Sequence, residues 1–211
     1  MANLNLPDKH RDALVGLLQL TPADATKLLA DFEASNGKYE LLTAALDKHV
    51  DSGRTALRAL ISLRLVLRDY KVPPTELVDA VKESFNIDGD GSILVNLVES
   101  PALQKSTKAI ELRTSHERIL TDSRIVSDIR PVFPDGEVGE RIEAAMVNHT
   151  LRLSYRATEG DPQDLYIALD TDDLKRLHKQ IERALVKESA AREFIESADA
   201  IVLEPLEAEE Q

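Results

Sequence analysis

Apolar residues recur every three to four positions through the first 120 or so residues, the period of a helix with one buried face. Pro7 suits a first helical turn, and Leu14, Leu17 and Leu18 repeat at helical spacing behind it. Thr21-Pro22 reads as a cap plus first-turn proline, with Asp24 where the helix dipole favours a negative charge. That second helix should pass Phe32 and stop near Asn36-Gly37. Further helices are expected over Tyr39 to Val50, Arg54 to Tyr70 and Glu76 to Phe85. Ile93 to Val98 should form a short apolar piece, followed by a last helix from Ala102 to about Leu120. Short connections make this stretch an all-α helical bundle.

Near Asp122 the period changes to two. Ile125, Ile129 and Phe133 share one parity. Ala145, Val147, Leu151, Leu153 and Tyr155 alternate with Asn148, Thr150, Arg152 and Ser154, the mark of a half-buried strand. Glu159-Gly160-Asp161-Pro162 is a turn, after which Leu165, Ile167 and Leu169 begin a third strand. Asp170 or Thr171 caps a long helix carrying Leu174, Leu177, Ile181, Leu185, Ala191 and Ile195. The fold class expected is α+β: residues 1–120 all-helical, 121–200 a three-stranded antiparallel sheet plus long helix, and 201–211 an acidic disordered tail. A helix of that length spans about 42 Å and the middle strand about 40 Å, so the sheet could lay its apolar face on the helix. So thin a layer has two open edges and one uncovered face. Either the helical domain covers it or a second copy does, and two-fold pairing is the commonest closure.

Composition narrows the classes. With 38 acids against 26 bases the formal charge is −12, and only eight of 211 residues are aromatic, so nucleic-acid binding is not expected. The absence of cysteine removes thiol nucleophiles, disulfides and thiolate metal sites. The opening MANLNLPDKH has no apolar core behind a basic region, and Ala59 to Leu67, the most apolar stretch, is broken by Arg64. A cytoplasmic protein without membrane insertion is therefore expected.

Helical first part, then β-β-β-α: in Arg124 to Phe133, Ala145 to Tyr155 and the run from Leu165 to Leu185 (LYIALDTDDLKRLHKQIERAL), the chain resembles the COMM-domain (COMMD) proteins. The resemblance covers roughly 80 residues by pattern, and the helical half matches in architecture only. The family's usual tryptophan near the start of the first strand is missing, with Ile125 in that region, and Pro131 inside that strand implies an edge or a bulge. The resemblance implies obligate dimerisation through interlocked COMM modules and assembly into endosomal sorting scaffolds; in a bacterial relative it implies a homo-oligomer.

One local motif suggests chemistry. Phe85-Asn86-Ile87-Asp88-Gly89-Asp90-Gly91-Ser92-Ile93 resembles the opening of an EF-hand loop, with Asn86, Asp88 and Asp90 as alternate oxygen ligands, Gly91 for the sharp turn and the Ser92 carbonyl as ligand. The bidentate glutamate due at the twelfth position is Leu97, so any calcium site over 86–97 would be weak; the competing reading is a turn between helices. Arg54, Arg58, Arg64 and Arg68 form a loose basic band or a solvated helix face. His10, His49, His116, His149 and His178 show no metal-ligand spacing, and His149 falls on the apolar parity of the middle strand. No nucleophile elbow or phosphate loop appears; Gly136-Glu137-Val138-Gly139 reads as a strand connection, and Asp172-Asp173 as helix capping. No catalytic residue, cofactor or metal ligand is assigned. The expected function is a non-catalytic, self-associating scaffold or adaptor, with its interface at Ile129, Phe133, Val147, Leu151, Leu153, Tyr155, Ile167 and Leu169 plus the inner face of the last helix. A weak calcium-responsive regulator is the alternative.

Overall fold

The computed structural model describes residues 8–133, 142, 144–157 and 161–203. Pro7, the 136–139 connection, Glu159-Gly160 and the acidic tail from 204 lie outside the described residues. Seven helices come first: α1 (Asp8–Leu18), α2 (Pro22–Ala34), α3 (Tyr39–Asp47), α4 (Gly53–Tyr70), α5 (Pro74–Phe85), α6 (Ser92–Glu99) and α7 (Pro101–Thr114). They are followed by β1 (Arg118–Val132), β2 (Ala144–Ala157), β3 (Gln163–Leu169) and α8 (Thr171–Ser197). The fold is α+β, and the chain divides into two compact units between Arg113 and Thr114.

Capping chemistry sets the helix boundaries. The Thr21 hydroxyl accepts from the Asp24 N–H at 3.2 Å and donates to its carboxylate at 2.7 Å, with Pro22 in the first turn. Ser52 caps α4 through the Thr55 N–H, and Ser100 caps α7 through the Leu103 N–H. In the first unit α4 is the central helix, burying Ala56, Leu57, Ala59, Leu60, Ile61, Leu63 and Leu67. It packs chiefly on α3, α1 and α6. Phe32, Leu14, Leu28, Leu42, Leu94 and Leu103 are wholly buried around it. Gly53 is required by this packing: a Cβ there would stand 2.4 Å from the Thr43 carbonyl oxygen, and its N–H donates to Asp47 Oδ1 at 2.6 Å.

The last helix of the bundle is shorter than the sequence pattern predicts. It ends at Thr114, and β1 already begins at Arg118. Leu112 and Ile119, seven residues apart, keep helical spacing across the break, which is why the pattern overruns it. The sheet is antiparallel in the order β1-β2-β3. β1 is an edge strand, where Pro131, opposite Ala145, needs no outer ladder hydrogen bond. β3 pairs only with His149–Tyr155. β1 and β2 therefore run on as a two-stranded ribbon past the end of the third strand. Leu165, Ile167 and Leu169 close β3 rather than begin it.

Candidate functional site: the bare apolar face of the second unit

Register places the apolar side chains in cross-strand rows. Ile125, Leu151 and Ile167 form one row, Ser123, Leu153 and Leu165 the next, and Ser127, His149 and Leu169 a third; Ile129 stands opposite Val147. All lie on one face, because paired residues project to the same side. A bulge extends the face. Leu120 pairs with Tyr155 and Asp122 with Ser154, leaving Thr121 as the extra residue. Leu120 thereby joins the apolar side, and Arg118 stacks over the Tyr155 ring at 5.4 Å.

The opposite face is mixed: beside exposed Val126, Met146 and Tyr166 it carries paired charges. Arg152 bonds to Asp122, Ser154 donates to Asp164 at 2.5 Å, and Arg130 pairs with Asp128 at 3.1 Å. The Ser154 hydroxyl, then the charge of Arg152, hold the Asp164 carboxyl below the usual carboxylate range. The bond to Asp122 raises Arg152. This face has charge pairs suited to solvent. The apolar face does not.

Of the expected interface residues, Ile129 is 74 % exposed, Val147 59 %, and Phe133 and Ile167 37 % each. Leu151, Leu153, Tyr155 and Leu169 are half-buried. Phe133 lies just beyond the end of β1, outside the ladder. The structure brings the other seven onto one contiguous surface. Residues missed by periodicity alone, Leu120 above all, join it through the bulge.

The long helix does not close this surface. A capping box starts it: Asp170 accepts from the Asp173 N–H at 2.7 Å, and Asp173 accepts from the Asp170 N–H at 3.2 Å. Those backbone donors lower the Asp170 carboxyl. Asp173, Arg176, Leu177 and Gln180 then form, with Leu151, Ile167 and Leu169, a cleft of about 370 Å³. Within the chain α8 meets the sheet chiefly at β3, instead of lying along the middle strand as length matching allows. Ile181 and Leu185, on the same stripe as Leu174 and Leu177, are each 59 % exposed, and no residue of α8 is buried. Every buried apolar residue of the described chain lies between Ala13 and Leu103.

The other candidate chemistry resolves into local structure. In the 86–97 loop, Asn86 is the left-handed cap of α5 and Gly89, at φ 153°, makes the sharp turn expected of Gly91. Gly91 is right-handed; a Cβ there would stand 2.6 Å from Val78 Cγ1. Asp90 accepts from the Ser92 hydroxyl at 2.7 Å and the Ser92 N–H at 2.9 Å, bonds that lower its carboxyl and tie it to the start of α6. Leu97, at the closing position, is wholly buried. Among the described residues no three carboxylate or imidazole groups are placed to hold a metal ion. The arginine band is broken as well. Arg58 and Arg64 are half-buried, and Arg68 pairs with Asp69 at 2.7 Å and with Glu111. His10 is buried in the first unit, His178 lies 3.4 Å from Glu182 on α8, and His149 alone of the five occupies the apolar sheet face. Among the described residues no helix is long and apolar enough to cross a membrane. No protein-family model matches the chain, and no curated protein matches it.

Proposed function

We propose that the protein is a non-catalytic scaffold or adaptor that pairs with a second copy of itself through the sheet and α8, presenting the α1–α7 bundle to other proteins. One observation carries this reading: among the described residues the second unit has no buried apolar residue of its own, although it holds a continuous apolar sheet face and an apolar helix stripe. Ordering a residue costs about 1–2 kcal/mol of backbone entropy, which burial has to offset, and half-exposed side chains offset little of it. A second copy brings the missing partner surface by symmetry: its helix stripe for this sheet, and this helix stripe for its sheet. The β-β-β-α order and the cross-strand pairing of Ile125, Leu151 and Ile167 support a COMM-like module, in which such pairing is obligatory.

Light scattering on the purified chain tests the reading. The expected mass is at least twice 23.4 kDa. Ile129→Glu adds a charge at a site already open to solvent in the protomer, and should weaken association at least 100-fold while the helical signal persists. A wild-type chain that stays monomeric at micromolar concentration overturns the proposal.

A further inference from the structure

Among the described residues the apolar sheet face carries one imidazole, and it sits at the centre. His149 is on the middle strand, flanked along β2 by Val147 and Leu151 and across the sheet by Ser127 and Leu169. Its Nδ1 lies 2.7 Å from the Ser127 hydroxyl oxygen. The imidazole is half-buried in the protomer, so a second copy seated on this face would remove much of its remaining water.

The charged groups around it offer no compensation. On β1 the neighbours on this face are Ile125, Ser127 and Ile129, none ionisable. On the β3 side Leu169 stands opposite, and the next residue, Asp170, is bound to the Asp173 N–H as the cap of α8. On α8 the charges lining the cleft with Leu151 and Leu169 are Asp173 and Arg176, paired with each other at 2.7 Å along the helix. His178 is on the same helix beside Glu182. Among the described residues the carboxylate nearest the His149 row is Asp173, which borders Leu169 and is already paired with Arg176. Burying an imidazolium without an anion is costly, whereas a neutral imidazole can share one hydrogen bond with the Ser127 hydroxyl.

We propose that His149 makes self-association pH-dependent, the pair forming with neutral imidazoles and separating on mild acidification. This rests on the reading of the second unit as half of a homodimer. The direction follows from linkage: burial in the seam disfavours the charged form, so association is complete above the imidazole range and is lost as pH falls through it. Two-fold symmetry puts two imidazoles in one seam, which allows the dissociation constant to rise by up to about 100-fold per pH unit below that range.

Sedimentation of the full chain at pH 7.5 and 5.5, with circular dichroism at both, tests this. The wild type should dissociate at least tenfold more readily at pH 5.5 with its helical signal retained. His149→Gln, which keeps a hydrogen-bonding side chain without the titration, should associate equally at both pH values, and His178→Gln should keep the wild-type dependence. If His149→Gln fails to fold, His149→Phe serves in its place. A dimer whose strength is the same at both pH values overturns the inference and leaves the scaffold reading standing. A monomer at both overturns the two together. A pH dependence that survives in the His149 variant, or disappears in the His178 variant, assigns it elsewhere and also overturns the inference.

Discussion

Leu120 stands opposite Tyr155 while Asp122, two residues on, stands opposite Ser154, only one residue back along β2. That mismatch rotates the start of β1 by one side-chain position, and the hydroxyl of the extra residue, Thr121, donates to the Ser154 carbonyl at 3.0 Å. Without it Leu120 would face the same side as Asp122 and Arg124. Leu120→Glu should therefore weaken self-association about tenfold or more, while Val126→Glu, on the opposite face, should leave it within about twofold. Sedimentation of both variants checks which face is the seam.

The first unit has a complete interior, so its stability should respond to core truncation independently of association. Phe32 is wholly buried in the α1–α7 core. Phe32→Ala should cost about 3–5 kcal/mol in denaturant unfolding of that unit. The sheet-borne interface should persist, which light scattering below the transition would show.

Gly53→Ala probes a different kind of packing. The added Cβ meets the Thr43 carbonyl and the Asp47 carboxylate, neither of which can withdraw without loosening α3 or the cap of α4. About 1–3 kcal/mol of destabilisation is expected, read as a lower denaturation midpoint.

Acid should act on the chain in two separate windows. The carboxyls of Asp31, Asp90 and Asp170 are each held below their ordinary range, by the Lys48 ammonium, by Ser92 and by the Asp173 N–H respectively. A lowered carboxyl contributes stability that is present above its unfolded value and is lost as pH falls through the folded one. Helical structure should thus survive at pH 5.5, where the pair is expected to have separated, and decline only below the usual carboxylate range. Circular dichroism and sedimentation followed over one pH series distinguish the two events; a single coincident transition would contradict this separation.

Much of this architecture is legible in residue order. Thr21-Pro22 announces a helix start through its own chemistry, and the cap forms. The alternation from Ala145 to Tyr155 marks both strand and face, because a period of two has no helical equivalent. The boundary at Thr114 is not legible, since Ile119 and Leu120 satisfy helical spacing and strand spacing alike. The bulge is invisible for a related reason: one extra residue changes a pairing, not a composition. Periodicity likewise finds the stripe of α8 but is silent on what covers it. Length matching allows the helix to lie along the sheet, whereas the capping box and the short turn out of β3 launch it so that it meets the sheet chiefly at β3.

The division of the buried core has a consequence for how the molecule persists in a cell. With every buried apolar side chain of the described residues in α1–α7, the helical part has its interior at any dilution. On the proposed pairing the strand-and-helix part is completed by a twin and obeys mass action. Below its dissociation constant the polypeptide would carry a bare greasy ribbon, the kind of surface that chaperones and proteases patrol. Its lifetime would then be tied to its own abundance, with orphaned copies removed and paired ones spared.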